Sequence, residues 1–255
     1  MGGGARIHIG TSGWHYAHWV GPFYPEGARP ETFLTYYVRV FRTTEINNTF
    51  YRLPTPEVLA AWRDRAPSDF VFACKASRYI THMKKLKDPR QTCRRFFEVL
   101  DTLAGKLGPI LFQLPPRWHA NPGRLEAFLA ALPRDRRFAF EFRDESWFTP
   151  AVYDLLKRYQ ASFCIYDLGG RHTPDQVTAD FVYLRLHGPG DPYRGSYDAD
   201  ALAAWARRVL TWRKAGLDVY CYFDNDEQGY ATQDARRLME LVGPREGRAA
   251  VSPPP

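Results

Sequence analysis

No stretch of the 255-residue chain approaches the ~20 consecutive apolar residues needed to cross a bilayer. Residues 1–9 contain no apolar signal-peptide segment, and Met1-Gly2-Gly3-Gly4-Ala5-Arg6 lacks the Ser or Thr of a myristoylation site. A cytoplasmic location with no membrane partner is the expectation. Cysteine is scarce. Cys74, Cys93, Cys164 and Cys221 form no C-x-x-C pair, and three of them lie in apolar, strand-like runs. Buried reduced thiols and no disulfide-linked partner are therefore expected. There is no repeat of fixed period and no G-x-G-x-x-G turn after the first strand, where Gly10-Thr11-Ser12-Gly13-Trp14 stands instead. That weighs against an open doubly wound sheet built around a dinucleotide. Acidic residues are outnumbered, 28 Asp+Glu against 35 Lys+Arg, a net charge of +7. The excess favours a polyanionic partner or a phosphorylated substrate, with plain solubility as the alternative.

What is present is a regular alternation. Runs of strand length and composition occur at 6–10, 44–47, 70–75, 110–113, 138–143, 162–166, 181–187 and 218–224. Helical patterns lie near 31–40, 56–65, 90–103, 122–132, 150–159, 199–215 and 232–241. Thr55-Pro56, Asn121-Pro122 and Thr149-Pro150 open three of them, because proline lacks the N–H that would have no partner in a first helical turn. The sixth strand is followed by a short polar stretch, 169–178, where a full helix is not expected. Strands alternating with helices run parallel, and eight such units predict a single-domain α/β fold, a (β/α)8 TIM barrel over 1–242, followed by a Gly/Pro-rich disordered tail at 243–255.

Strand parity then selects residues. Side chains alternate between faces, so Ala139, Glu141 and Arg143 oppose Phe138, Phe140 and Phe142. Tyr183, Arg185 and His187 oppose Val182, Leu184 and Leu186, and Tyr220, Tyr222 and Asp224 oppose Val219, Cys221 and Phe223. The apolar set packs under the helices. The other points into the barrel and turns polar at the strand C-terminal ends, where barrels carry their sites. Glu45, Asn47, Lys75, Gln113, Glu141, Arg143, Arg185, His187 and Asp224 should converge there. Unpaired buried charge is costly, so the cluster is either a functional site or an ion-pair plug in which Lys75 and Arg185 neutralise Glu45 and Glu141.

Several segments together carry a resemblance. They are Ile9-Gly10-Thr11-Ser12-Gly13-Trp14 with Phe23-Tyr24-Pro25, Glu45-Ile46-Asn47-Asn48-Thr49-Phe50-Tyr51, Lys75 with Ile80-Thr81-His82, and Gln113-Leu114-Pro115-Pro116. Glu141-Phe142-Arg143 with Ser146-Trp147, Arg185-Leu186-His187-Gly188 and Tyr222-Phe223-Asp224-Asn225-Asp226 complete the set. In this order, over about residues 6–242, they resemble the YecE-like family, domain of unknown function 72. The resemblance implies a barrel similar to the endonuclease IV and xylose isomerase groups and no established activity; nucleic-acid processing is what structural analogy implies.

The long loop after the first strand, 11–30, carries Trp14, His15, Tyr16, His18, Trp19, Phe23 and Tyr24. It reads either as a stacking wall or as an apolar lid. Residues 78–87 interleave Arg78, Lys84, Lys85 and Lys87 with Tyr79, a pattern that suits phosphate contacts or a solvated helix start. The catalytic candidates are Glu45, Glu141, His187 and Asp224, which could hold a single divalent Mg or Mn ion; one strand-end histidine under-supplies a multinuclear zinc cluster. The ligand-binding candidates are Trp14, Asn47, Lys75, Gln113, Arg143, Arg185, Tyr222 and Asn225. The favoured partner is nucleic acid or a phosphorylated small molecule, acted on by phosphodiester hydrolysis. The alternatives are a non-catalytic binding module and a carbohydrate-active barrel using Glu45 and Glu141.

Overall fold

The computed structural model of the chain describes residues 4–243, so the tail expected at 243–255 lies, from 244 on, outside the described residues. Eight parallel strands form the barrel: β1 (Ile7–Thr11), β2 (Thr43–Ile46), β3 (Val71–Lys75), β4 (Leu107–Gln113), β5 (Phe138–Glu141), β6 (Ser162–Leu168), β8 (Phe181–Leu186) and β9 (Asp218–Phe223). The hydrogen-bonded order runs β1-β9-β8-β6-β5-β4-β3-β2. The ring closes between β1 and β2, where Ser12 and Glu45 form a bridge and the Gly13 N–H donates to the Glu45 carbonyl at 2.8 Å.

Around it lie α1 (Phe33–Val40), α2 (Asn48–Tyr51), α3 (Pro56–Arg65), α4 (Pro89–Leu100), α5 (Pro122–Ala131), α6 (Pro150–Arg158), α7 (Ala199–Lys214) and α8 (Tyr230–Leu241). The Pro-opened helices start where expected. Asn121 and Thr149 cap α5 and α6 through their side chains, whereas Thr55 makes no side-chain cap bond at α3. After β6 there is no helix. The chain instead turns back as β7 (Arg171–His172), antiparallel to β6. The single turn α2 has no counterpart among the expected helices, since four residues are too few for a periodic signal.

The parity expectation holds through the barrel. Phe72, Phe112, Phe140, Leu184 and Val219 pack outward in the main core, and the Phe112 ring meets Phe128 of α5 at 5.0 Å. Ala73, Leu111, Ala139, Cys164, Phe181, Tyr183, Tyr220 and Tyr222 fill the inside. At the N-terminal end the inside is sealed by His8 stacked on Tyr220 at 4.6 Å and by Arg137, which bonds Asp218 (2.6 Å) and the Tyr220 hydroxyl (2.9 Å). The polar layer lies at the other end. All four cysteines are buried and free, and among the described residues no helix is long and apolar enough to cross a membrane.

The loop after β1 packs its large rings against the helices α1 and α3. Trp14 is only 4% exposed, edge-on to Trp62 at 4.9 Å; Trp19 and Tyr24 are buried, and Tyr24 stacks on Phe33 at 4.3 Å. Rings this large bury too much apolar area to be left at a wet mouth when a helix surface is within reach.

Closure of the ring depends on Gly10. A Cβ there would overlap the Thr43 carbonyl oxygen of β2. Gly10→Ala is expected to lower stability by about 1–3 kcal/mol, as overpacking does. Urea unfolding of the purified variant checks it, and an unchanged midpoint would show that β1 and β2 are not tightly apposed.

Candidate functional site

Arg185 ends β8 on the inner face and is fully buried. Its Nε donates to Glu45 Oε2 (3.1 Å), and its Nη2 donates to Glu45 Oε1 (2.7 Å), Asp224 Oδ2 (2.9 Å) and Ser12 Oγ (3.0 Å). Its Nη1 donates to Glu141 Oε2 at 2.8 Å and faces His187 Nε2 at 3.2 Å. Glu45 also accepts from the Tyr183 hydroxyl (2.7 Å) and from Ser12 Oγ. Glu141 also accepts from Arg143 Nε, and Arg143 Nη2 lies 3.2 Å from His187 Nε2.

The titration behaviour follows from these contacts. Burial alone would raise Glu141, but the Arg143 and Arg185 guanidinium groups outweigh it and hold the carboxyl well below the usual carboxylate range. Asp224 is lowered by the same opposition, burial against Arg185 and the His187 ring. His187 is pushed down from 6.5 to about 4, first by burial and then by the charge of Arg185. Its imidazole is therefore neutral at pH 7. Two guanidinium donors face Nε2, so Nε2 presents its lone pair and the ring proton sits on Nδ1. Nδ1 is 3.0 Å from Asp224 Oδ2 but off the line of a full hydrogen bond.

Above this layer stands Lys75. Its ammonium makes no ion pair and no hydrogen bond among the described residues, and it sits over the Phe50 ring at 4.7 Å. The unanticipated turn α2 supplies Phe50, anchored by Thr49, whose hydroxyl donates to the Lys75 carbonyl at 2.5 Å. Burial and then the charge of Arg185 lower the Lys75 pKa from its ordinary value. The Asn47 side-chain Nδ2 donates to Ser12 Oγ at 2.7 Å, and its Oδ1 is buried without a partner among the described residues. Arg143, with a side chain 9% exposed, lies over the Tyr166 ring at 5.0 Å. Gln113 ends β4 beside Glu141 in the sheet register.

Glu45, Asn47, Lys75, Gln113, Glu141, Arg143, Arg185, His187 and Asp224 thus gather at one end of the barrel. Three other candidates are placed elsewhere. Trp14 belongs to the core on the helix side. The Tyr222 hydroxyl is bonded to Thr43 Oγ1 (2.8 Å) one layer down, and Asn225 is a latch, donating to the Gly195 carbonyl (2.7 Å) and Asp234 Oδ2 (2.9 Å). Ser12 and Tyr193 had not been singled out. Ser12 continues the inward alternation His8, Gly10 of β1, so the parity argument extended to the first strand finds it. Tyr193 sits in an irregular loop, edge-on to His187 at 5.3 Å, and no periodicity marks it.

The donor set does not fit the single divalent ion considered above. The guanidinium of Arg185 occupies the space between the carboxylates of Glu45, Glu141 and Asp224, and no group of three His, Cys, Asp or Glu among the described residues is spaced to hold a metal. The plug expectation is altered in its pairing: Arg185 and Arg143, not Lys75, hold the carboxylates.

Comparison with known proteins agrees with this architecture. The family described as "Protein of unknown function DUF72" matches residues 8–255. The Escherichia coli K12 UPF0759 protein YecE is 32% identical over 145 residues, 56% of this chain and 50% of that protein, so the chain spans about half the length of that curated relative. The Bacillus subtilis UPF0759 protein YunF is 23% identical over 92% of this chain and 94% of its own length. A crystal structure of a DUF72 family protein from Thermotoga maritima superposes with a TM-score of 0.84 at 27% identity, covering 93% of this chain and 99% of that one.

Two outcomes follow from the network. Arg185→Met strands three buried carboxylates and is expected to cost about 3–5 kcal/mol in urea unfolding, against ~0.5 kcal/mol for a replaceable surface residue. His187 has a folded pKa near 4 against 6.5, so the unfolded chain binds the proton first and stability falls as pH drops from about 6.5 towards 4. His187→Gln should remove that part of the acid limb, measured as melting temperature against pH; an unchanged limb would show that another group carries it.

Proposed function

The chain belongs to the DUF72 family, and on that premise we propose that its barrel mouth binds a phosphate ester, with the phosphate held by Lys75 and Arg143. The observation that carries this reading is the ammonium of Lys75. It is partly buried and has no anionic partner among the described residues, while every carboxylate of the mouth is already engaged by Arg185 or Arg143. Glu141, Asp224 and Glu45 act on it only from beyond contact distance, so an anion that touches it stabilises it further. Arg143 has Nη1 free of hydrogen bonds among the described residues, and the buried side-chain Oδ1 of Asn47, without a partner among them, is a spare acceptor at the same end of the barrel. The net charge of +7 draws anions to the surface at long range.

Binding is better supported than turnover. Glu141 and Asp224 are held ionised and tied to guanidinium groups, and Glu45 accepts from Arg185, Tyr183 and Ser12. None of the three is left free to activate a water. The His187 lone pair faces two donors, so the ring is a poor base. The glycosidase reading of Glu45 and Glu141 loses support for the same reason. A nucleic acid strand is one source of phosphate with an observation behind it. Tyr51 (76% exposed), Tyr79 (43%) and Met83 (67%) lie on the rim, and the Lys84 ammonium sits over the Tyr79 ring at 5.7 Å.

Calorimetric titration with inorganic phosphate and with a single-stranded oligonucleotide tests the reading. Lys75→Met is expected to weaken phosphate binding about 10- to 100-fold, the size of one charge-assisted contact. In the wild type, affinity should fall as pH rises through the lowered Lys75 pKa, with proton uptake on binding in that range, and the variant should lose this alkaline limb. Phosphate affinity unaffected by Lys75→Met would overturn the assignment. Oligonucleotide binding with a steep salt slope, flattened in the Lys84→Ala/Lys85→Ala double variant, would identify a polynucleotide as the ester.

A further inference from the structure

Beside the mouth lies a groove of about 920 Å³, walled by the segments after β1, β8 and β9 and by the start of α8. Tyr193 is shared between the groove wall and the side chains of the mouth. That ring is 44% exposed, lines the groove and stands edge-on to His187, whose Nε2 is 3.2 Å from Arg143. Tyr193 and Gln228 both line the groove and both have left-handed backbones, at φ 68° and 53°, a conformation that costs a non-glycine residue energy and collects at ligand sites. The turn that presents Tyr193 starts at Gly188, φ 106°, where a Cβ would overlap the Arg194 carbonyl oxygen.

The chemistry of the walls selects an occupant. Val20, Pro22, Pro192 and the Tyr193 ring offer apolar faces. Asp226, Gln228 and Gln233 offer hydroxyl-binding oxygens and amide donors. A second phosphate is disfavoured, because Asp226 and Glu227 would face it; Arg194, 3.9 Å from Glu227, offsets them, and His18, 3.9 Å from Asp226, does so only when protonated. A neutral polyhydroxyl ring meets both demands: its C–H face lies on the apolar wall and its hydroxyls bond the carboxylate and amides. We infer that the ligand of the mouth is a phosphorylated sugar, with its phosphate on Lys75 and Arg143 and its ring in the groove beside Tyr193 and Asp226. This rests on the phosphate reading of the mouth and narrows it from any phosphate ester to a monosaccharide one. A polynucleotide would carry further phosphates across Asp226 and Glu227.

The full chain is titrated with glucose 6-phosphate, ribose 5-phosphate, inorganic phosphate and glucose. At least one sugar phosphate is expected to bind about tenfold or more tighter than inorganic phosphate, one added hydrogen-bonded contact being worth about that factor. Tyr193→Ala, Asp226→Asn and Gln233→Ala should each lower sugar-phosphate affinity several-fold and leave inorganic phosphate within twofold, whereas Lys75→Met lowers both. Gln233 is an exposed residue of α8, so its variant keeps the test informative if the other two fold poorly. Inorganic phosphate binding as tightly as both sugar phosphates, or groove variants without effect, would overturn the sugar assignment and leave the phosphate mouth standing. Glucose binding without inorganic phosphate would overturn the mouth, and with it the phosphorylated class. No binding by any of the four overturns both.

Discussion

Every polar feature of the barrel mouth is arranged around one guanidinium. Arg185 puts its donors onto the carboxylates of Glu45, Glu141 and Asp224 and the hydroxyl of Ser12, so residues from β2, β5, the end of β9 and the end of β1 meet at a single side chain. Such an arrangement is tolerable in a dry interior only because the arginine fork has enough donors to satisfy several acceptors at once; a lysine at this position could not replace it. The neutrality of His187, the depressed pKa of Glu141 and the lowered pKa of Lys75 all carry the charge of Arg185 among their causes. What the mouth can do is set by what Arg185 leaves over.

Much of this was legible in the residues. Alternation along β5, β8 and β9 separated core-facing phenylalanines and leucines from inward-facing Glu141, Arg185, His187 and Asp224, because a pleated strand has a period of two whatever its surroundings. Alternation says which way a side chain points, not which partner it meets. It therefore could not tell that Arg185 rather than Lys75 takes the carboxylates, or that the Tyr222 hydroxyl is bonded to Thr43 Oγ1. Irregular segments were the least legible. Trp14 and Asn225 stand in motifs that look functional, yet one packs edge-on against Trp62 of α3 and the other ties Gly195 to Asp234. Tyr193 is the converse, a residue without a pattern that stands where mouth and groove meet.

The two ends of the barrel interior divide the labour. The N-terminal end is sealed by stacked and hydrogen-bonded side chains, His8, Tyr220 and Arg137. The middle is aromatic and small. Charge is kept to the two end layers, the Arg137–Asp218 pair below and the Arg185 network above, so the polar groups that are hardest to bury lie closest to water. Lys75 stands at that boundary. It is sheltered enough for its pKa to respond to Arg185, yet remains partly exposed.

The partners of Arg185 also have an order in time. Glu45 and Ser12 lie 140 and 173 residues before it, and Asp224 follows 39 residues after. A chain growing from its N-terminus carries Glu45 and Glu141 long before their shared cation exists, and the set is complete only when β9 has been made. Closing loops of that length takes entropy before any contact returns it, so the network belongs to the last steps of assembly. Until then Glu141 has Arg143, two residues on, and Glu45 keeps its hydration, so the cost of burying them arises only when the mouth closes.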